Sequence, residues 1–421
     1  MKDYLSKIFT GDKILWGVIL LLFIISGVEM FSAISFSAYN AAARGSNHLG
    51  PFFSHMLHLG IGAVALIVIP KIPFEKLRIL FFFAVFMSII LLLLTIVSGK
   101  EVNGASRALV LGGFELQTIE FGKFALIVCL SEILGRNYRQ GDPLLKEKFP
   151  IKSFLYLVGF IVVFCGLIAT QNLSTAVILV GVSILMMLIA EVDIKKIGAL
   201  IGIGLVFVLL IFGIHKAMPE SYRNSDRYIL KRVGTWENRI TEIIEETFGE
   251  DVEKDTYKIT DENRQIINSE IAIAMGYKPC GPGNSTQRDY LPLAFSDFIY
   301  AILIEEWGII GGFITILLYL CILARAGRVV RKCDRKNLVQ ALMVMGLSLL
   351  IVIQAFINMG VAVHLGPVTG QQLPLISRGG MGIILTCCYL GIIINISNRV
   401  LNENNETENS VNTIESNDND Q

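Results

Sequence analysis

The chain has 421 residues, is 53% hydrophobic and only 17% charged, and its mean hydropathy of +0.61 lies well above what a soluble domain tolerates. Its 36 basic residues balance 36 acidic ones, so nothing in the net charge recruits nucleic acid and the informative quantity is where the charges fall. What is left is a polytopic membrane protein.

Apolar runs of spanning length lie at about 14–35, 51–69, 77–98, 121–138, 153–170, 173–190, 198–215, 297–324, 338–361 and 379–398. The predicted fold is therefore an all-α membrane domain over residues 1–401, with about ten transmembrane helices and a large extracytoplasmic loop before the eighth. The first run has no small-residue cleavage site and is read as a retained span, not a signal peptide. Lys and Arg concentrate in the connections 70–78 (Lys71, Lys76, Arg78), 136–152 (Arg136, Arg139, Lys146, Lys148, Lys152), 191–197 (Lys195, Lys196) and 325–337 (from Arg325 to Lys336). With Lys2, Lys7 and Lys13 placed inside, every basic connection lands in the cytoplasm, as the positive-inside rule expects. Both termini are then cytoplasmic and the loop 216–295 is outside.

No Walker loop, dinucleotide glycine pattern or His-Glu-x-x-His is present, so ATP-driven chemistry by this chain alone is not expected. His55 and His58 sit one helical turn apart with His48 ahead of them, but a metal site needs a third convergent ligand. They are read as packing or interfacial histidines. Among the cysteines only Cys280 falls in a large polar loop, without a partner, so no disulfide framework is implied.

From Val102 to Val128, Arg107 lies in an outside connection, where an arginine among glycines can reach a phosphate, and Glu120 and Lys123 open a span. Those two are three apart and can pair on one helix face, which either fixes helix register or serves the chemistry. The loop 216–295 begins basic, with Lys216, Arg223, Arg227, Lys231, Arg232 and Arg239, and is acidic from Glu242 to Glu262. The acidic part is a solvated insertion. The basic part is either that or a seat for an anionic head group beside the bilayer.

The stretch Leu291–Gly312 puts Asp297 where a polar loop becomes a span, with Glu305 and Glu306 inside it. On a continuous helix Glu305 would lie roughly 80° around from Asp297 and roughly 12 Å deeper, with Glu306 on about the opposite side. Charges inside hydrocarbon face a protein interior or a wet cavity. Asp297 is thus the candidate reactive group, and Glu305 a tuning or structural one. Between the last two spans, Asn358 to Gly382 is rich in Gly and Pro and carries Ser377 and Arg378 just before Gly379 and Gly380. It is read as a re-entrant wall of the same outer cavity. From Asn402 the chain is Asn, Glu, Ser, Thr and Asp, which predicts a disordered cytoplasmic tail over 402–421.

Three motifs, GNSTQRDYLPLAFSDFIYAILIEEWG, the Arg107 to Lys123 segment and GPVTGQQLPLISRGG, resemble the SEDS family of FtsW, RodA and SpoVE, over nearly the whole chain. They are most similar to its FtsW-type members of the Bacteroidetes kind. The resemblance implies an inverting peptidoglycan glycosyltransferase that polymerises lipid II, an undecaprenyl-pyrophosphate-linked disaccharide peptide, into glycan strands. The expected place is the outer face of the cytoplasmic (inner) membrane, during cell division. Asp297 falls on the family's essential aspartate, as general base. Arg107, Lys123, Ser377, Arg378, Arg232 and Arg239 would contact substrate, and Glu120, Glu305 and Asn358 would be structural or tuning residues. No metal site is identified, although a divalent cation, Mg or Mn, is compatible with the chemistry. The implied partners are a class B penicillin-binding protein transpeptidase and other divisome membrane proteins, with no nucleic acid. The rival readings are a lipid II flippase and an inactive division scaffold. Departures from the family pattern stand at Ala108, Thr118, Ile119, Asn172, Met381 and Gly382.

Overall fold

A computed structural model of the chain describes residues 11–43, 50–102, 105–111, 114–137, 149–218, 264–291, 294–333, 337–366 and 368–419. Helices fall on all ten predicted runs: α1 (Lys13–Ala43), α2 (Gly50–Val68), α3 (Phe74–Ser98), α4 (Thr118–Asn137), α5 (Ile151–Ala169), α6 (Leu173–Ile189), α7 (Ile194–Ala217), α9 (Ile299–Lys332), α10 (Leu338–Ala362) and α11 (Met381–Asn419). A shorter helix, α8 (Arg264–Met275), precedes the Asp297 segment. Among the described residues seven helices are long and apolar enough to cross a membrane, namely α1, α2, α3, α5, α9, α10 and α11, and α6 is a shorter apolar helix.

The layering explains why α4 is less apolar. Nearly every side chain from Gly122 to Ser131 is buried, so α4 faces protein on all sides and can carry charge that pairs internally. It forms the centre with α10, while α2 and α3 lie outside and expose Phe82, Phe83, Leu57 and Val64. Apolar side chains on the outer surface suit lipid. Small residues let the central helices approach closely: a Cβ on Gly346 of α10 would stand 2.8 Å from Ile127 of α4 and from Met186 of α6.

Two expectations are corrected. The connection between α3 and α4 is not a plain loop, since Lys100–Val102 (β1), Ala105–Leu111 (β2) and Phe114–Leu116 (β3) make a small antiparallel sheet in the order β1-β2-β3. Its strands are too short to stand out against the apolar spans in a hydropathy reading, and Val, Leu and Phe suit extended backbone. The tail after Asn402 continues α11 to Asn419 and is not structureless along that length. Extending an existing helix adds one hydrogen bond per residue without a new nucleus, which a polar sequence permits.

Described basic residues at and beside the basic connections are tied by ion pairs. Arg325 near the end of α9 pairs with Asp12 just before α1, Arg78 of α3 makes bonds of 2.6 and 2.7 Å to Glu132 of α4, and Arg399 of α11 pairs with Glu75 of α3.

Replacing Gly346 by Leu forces α4, α6 and α10 apart. Overpacking of this kind costs about 1–3 kcal/mol, so the purified protein should melt several degrees lower. Gly181→Ala, where the added Cβ meets nothing within 4 Å, should not lower the melting temperature.

Candidate active site

Asp297 does not lie on the helix. It occupies the turn before α9, which begins at Ile299, so the predicted angle between it and the later carboxylates does not apply. The turn is seated by a small apolar cluster of Leu291, Ala294, Phe298, Ile302 and Val361. With Ala294 and Phe298 buried beneath it, the half-buried Asp297 lies at the mouth of the span.

Three side-chain or backbone clamps fix this turn to the last two helices and their connection. Asn358 of α10 donates through Nδ2 to the carbonyl oxygens of Asp297 (2.8 Å) and Gln371 (2.7 Å). The Ser377 hydroxyl donates to the Ser296 carbonyl (2.5 Å) and accepts from the Leu373 N–H (2.8 Å). The Arg378 N–H donates to the Phe295 carbonyl (2.9 Å), and its guanidinium lies 5.3 Å from the centre of the Phe295 ring. Ser296 Oγ donates to Asp297 Oδ1 at 2.9 Å. On the other side stands Gly370, whose φ of +66° is a left-handed geometry that favours glycine and whose missing side chain would lie 3.8 Å from Asp297 Oδ2. The Ser296 hydroxyl thus helps orient the carboxylate, and Gly370 leaves it room.

The connection between α10 and α11 is itself held by two polar arms. In the first, Gln371 Nε2 donates to Thr175 Oγ1 of α6 at 2.8 Å, and Asn172 caps α6 by accepting from the Thr175 N–H at 3.2 Å. That disposes of one departure from the family pattern, because Asn and Asp cap helices equally well. In the second, Lys123 pairs with Glu120 at 2.6 Å and donates to Gln354 Oε1 at 2.9 Å. Gln354 in turn donates to the Gln372 carbonyl at 3.1 Å. The Gln372 side chain fills the space a Cβ on Gly379 would need.

This arrangement changes two predicted roles. Lys123 is 2% exposed, and its ammonium is used by Glu120 and Gln354; it belongs with the structural residues and not with the substrate contacts. Ser377 is 1% exposed, and its hydroxyl is engaged both as donor and as acceptor, so it too shapes the site from beneath. Asn358 and Glu120 are both engaged in these clamps. Arg378 is exposed and, among the described residues, has no carboxylate partner. Arg107 lies on β2, with its side chain outside the described residues, and Arg232 and Arg239 lie wholly outside them.

The deeper carboxylates do a different job. α9 is broken at Gly308 (φ 77°, ψ 177°), so the Glu305 and Glu306 carbonyls are turned out of the helical ladder and accept instead from the N–H groups of Cys280 (3.2 Å) and Gly281 (3.0 Å). The Glu305 carboxylate accepts from the Thr286 N–H (2.8 Å), the Thr286 hydroxyl (2.9 Å) and the Ser285 hydroxyl (2.5 Å). It is an anchor for the loop ahead of Asp297 and not part of a track reaching it. Glu306 bonds Ser32 of α1 and the Ser285 N–H, while Glu29 of α1 accepts from Trp307 Nε1 at 2.5 Å. Glu29 was missed in the sequence, though a single acid within the first apolar run was the signal for it.

Cys280 lies at the foot of this loop, beside a hollow of about 380 Å³ lined by Met275, Tyr277, Lys278 and Glu305. Partial burial, followed by the charges of Glu305 and Glu306, pushes its thiol above the ordinary range. Among the described residues no group of three or more His, Cys, Asp or Glu is placed to hold a metal ion.

A helical bundle with a clamped acid at a span's mouth, faced by a pinned irregular connection, defines a multi-pass membrane protein built around one carboxylate. The family model described as "Cell cycle protein", covering FtsW, RodA and SpoVE, matches residues 12–402, and the chain belongs to that family. It is 27% identical over 411 residues to the "Probable peptidoglycan glycosyltransferase FtsW" of Pseudomonas fluorescens, covering 94% of this chain and 91% of that one. The Haemophilus influenzae protein of the same name is 33% identical over 318 residues, covering 73% and 71%. The fold is similar to that of a chain described under "Structural coordination of polymerization and crosslinking by a peptidoglycan synthase complex", with TM-score 0.64, 21% identity and 93% and 99% of the two chains covered. It is also similar to the rod shape determining protein RodA of Thermus thermophilus, with TM-score 0.53, 21% identity and 92% and 97% covered.

Asn358→Leu removes both clamp bonds and leaves two carbonyls without that donor. Each unsatisfied group costs about 1–3 kcal/mol, so a drop in melting temperature and faster amide hydrogen exchange across 294–298 are expected; protection equal to the native protein's would show that the clamp is dispensable.

Proposed function

We propose that this protein is a peptidoglycan glycosyltransferase that joins lipid II units into glycan strands, with Asp297 as general base on the outer side of the cytoplasmic membrane. The observation that carries the reading is the fixed turn: a half-buried carboxylate with one oxygen oriented by Ser296 and the other facing the space over Gly370. A base must be held within hydrogen-bond reach of the proton it takes, and a turn clamped from three directions supplies that.

Asp297 removes the proton of the acceptor's sugar hydroxyl as that oxygen attacks the anomeric carbon of the donor sugar. The bond from that carbon to the diphosphate oxygen breaks, the diphosphate leaves with the electron pair, and the configuration inverts. Negative charge grows on the leaving group, where fixed cations are most effective. Arg378 beside the Asp297 turn is the nearest candidate on the described surface, and Arg107, Arg232 and Arg239 are the further cations of the proposal. No three-ligand group converges among the described residues, so no step is assigned to a divalent cation.

The sidedness is supported by the described basic residues, such as Arg325 and Lys332, which lie at the end of α9 away from the Asp297 turn; with that end in the cytoplasm both termini are inside. The division role is supported by the FtsW names of the relatives. A crosslinking partner, of the class B penicillin-binding protein kind, is supported by the words polymerization and crosslinking in the description of the similar complex.

Purified protein given lipid II, with and without such a partner, should form glycan polymer. Asp297→Asn should lower the rate about 10²–10⁴-fold, the usual worth of a general base. Undiminished polymer in that variant removes Asp297 from the chemistry, and translocation of lipid II in vesicles without polymer favours a flippase.

A membrane-impermeant maleimide should label Cys280 in intact spheroplasts. Because its thiol is raised, the thiolate fraction is small at neutral pH and labelling should accelerate as pH rises through and beyond the ordinary thiol range. Labelling only after lysis reverses the proposed orientation.

A further inference from the structure

A hollow of about 400 Å³ lies between the start of α1 and the end of α2, and no residue of the Asp297 turn or of its clamps lines it. Small residues leave this space. A Cβ on Gly17 would meet nothing within 4 Å, and Ala63 is the small residue that α2 contributes. Along α1 the lining runs from Lys13 through Trp16 and Gly17 to Phe23. Ile19 and Leu66 in its wall are buried, whereas Gly17 and Leu20 are exposed, so the hollow is open to the surrounding bilayer along one side.

The length of the hollow limits what can fill it. Phe23 is ten residues beyond Lys13, which on a helix is about 15 Å. That is half of a hydrocarbon core about 30 Å thick. An acyl chain of one leaflet matches this depth, while a partner helix needs a groove across the whole core.

Charge narrows the choice further. Lys13 opens the span, is exposed and has no carboxylate partner among the described residues. Its neighbour Asp12 does not neutralise it, being engaged by Arg325 and by the N–H groups of Ile14 and Leu15. Lys71, just past the end of α2, is exposed as well. The two helix ends are level: Asn398 of α11 stands beside Gly11, and Asn395, nearly one turn back, donates to the Ile69 and Ile72 carbonyls at 2.9 and 2.7 Å. Trp16, one turn in from Lys13, suits the depth at which indoles border lipid head groups. Lipid tails are as apolar as the walls, so the hollow selects a chain only by shape, and the choice among lipids falls to the cations at its mouth.

We propose that the groove between α1 and α2 binds one anionic phospholipid of the leaflet that Lys13 borders, with an acyl chain in the hollow and the phosphate at Lys13 and Lys71. The site is independent of the glycosyltransferase reading. Deeper in the bundle, Ser26 of α1 donates to the Leu375 carbonyl at 2.6 Å, so a lipid that steadies α1 against α2 also steadies the connection that carries Gln371 and Arg378.

The test is native mass spectrometry of the full-length protein, delipidated in detergent and titrated with phosphatidylglycerol or with phosphatidylcholine of the same chains. The native protein should hold one phosphatidylglycerol at least about tenfold more tightly than phosphatidylcholine. Lys13→Gln should weaken phosphatidylglycerol about fivefold, the worth of one basic residue at an anionic surface, and leave phosphatidylcholine unchanged. Gly17→Leu, which puts a side chain into the hollow, should lose the bound lipid altogether. Lys13→Gln, at an exposed position, decides the matter alone if Gly17→Leu does not fold. Equal affinity for the two lipids, no retained lipid, native-like retention by Gly17→Leu, or a loss as large in Lys152→Gln, which removes an exposed cation at the start of α5, overturns the site. A Gly17→Cys protein that forms disulfide-linked dimers in oxidised membranes, where the native chain does not, assigns the groove to a second copy and overturns it too.

Discussion

Backbone that leaves helical geometry inside a bilayer must find partners for its N–H and C=O groups within the protein, because hydrocarbon offers none. Two stretches of this chain do so, 276–298 and 363–380, and much of what each lacks is supplied by the other or by the helices around them. The Asp297 carbonyl is satisfied by Asn358, Ser296 by Ser377 and Phe295 by Arg378. The candidate site is therefore a seam between two irregular segments, and the acid's position is a consequence of how that seam closes.

The same constraint sorts the charged residues. Glu305 is buried because it answers several donors in a row from Ser285 to Gln287, and Lys123 is buried because it bridges α4 to α10 through Glu120 and Gln354. Such groups are costly to bury and more costly to orphan. Their worth lies in fixing one arrangement of the irregular segments against the helices. Arg378 and Asp297, by contrast, are fixed through backbone and side chain together: Arg378 at the Phe295 carbonyl and ring, Asp297 at Asn358 and the Ser296 hydroxyl.

Much of this was legible in the sequence, and the limits are instructive. Spans are local, so their hydropathy alone located ten helices, and an aspartate at the edge of a span is conspicuous wherever it occurs. The depth of Glu305 was estimated on a continuous helix, whereas α9 is broken at Gly308 and the Glu305 carboxylate bonds Ser285 and Thr286. What could not be read were pairings far apart in the chain: Gln371 with Thr175 and Ser377 with Ser296. Ser377 looked like a ligand for the same reason that it is a strut, since a serine beside two glycines suits either role until its partners are known. The short strands between α3 and α4 were invisible because a hydropathy window long enough to find spans averages over elements of three to seven residues.

The break at Gly308 has a further consequence for how the chain can vary. It turns the Glu305 and Glu306 carbonyls toward Cys280 and Gly281, and with the Glu305 carboxylate it moors the chain from 280 to 287 directly onto α9. Approaching the Asp297 turn, the polypeptide is therefore re-registered against the bundle downstream of α8. The acid is thus indexed to a span, through the chain from 280 onward, by a kink that glycine alone readily adopts.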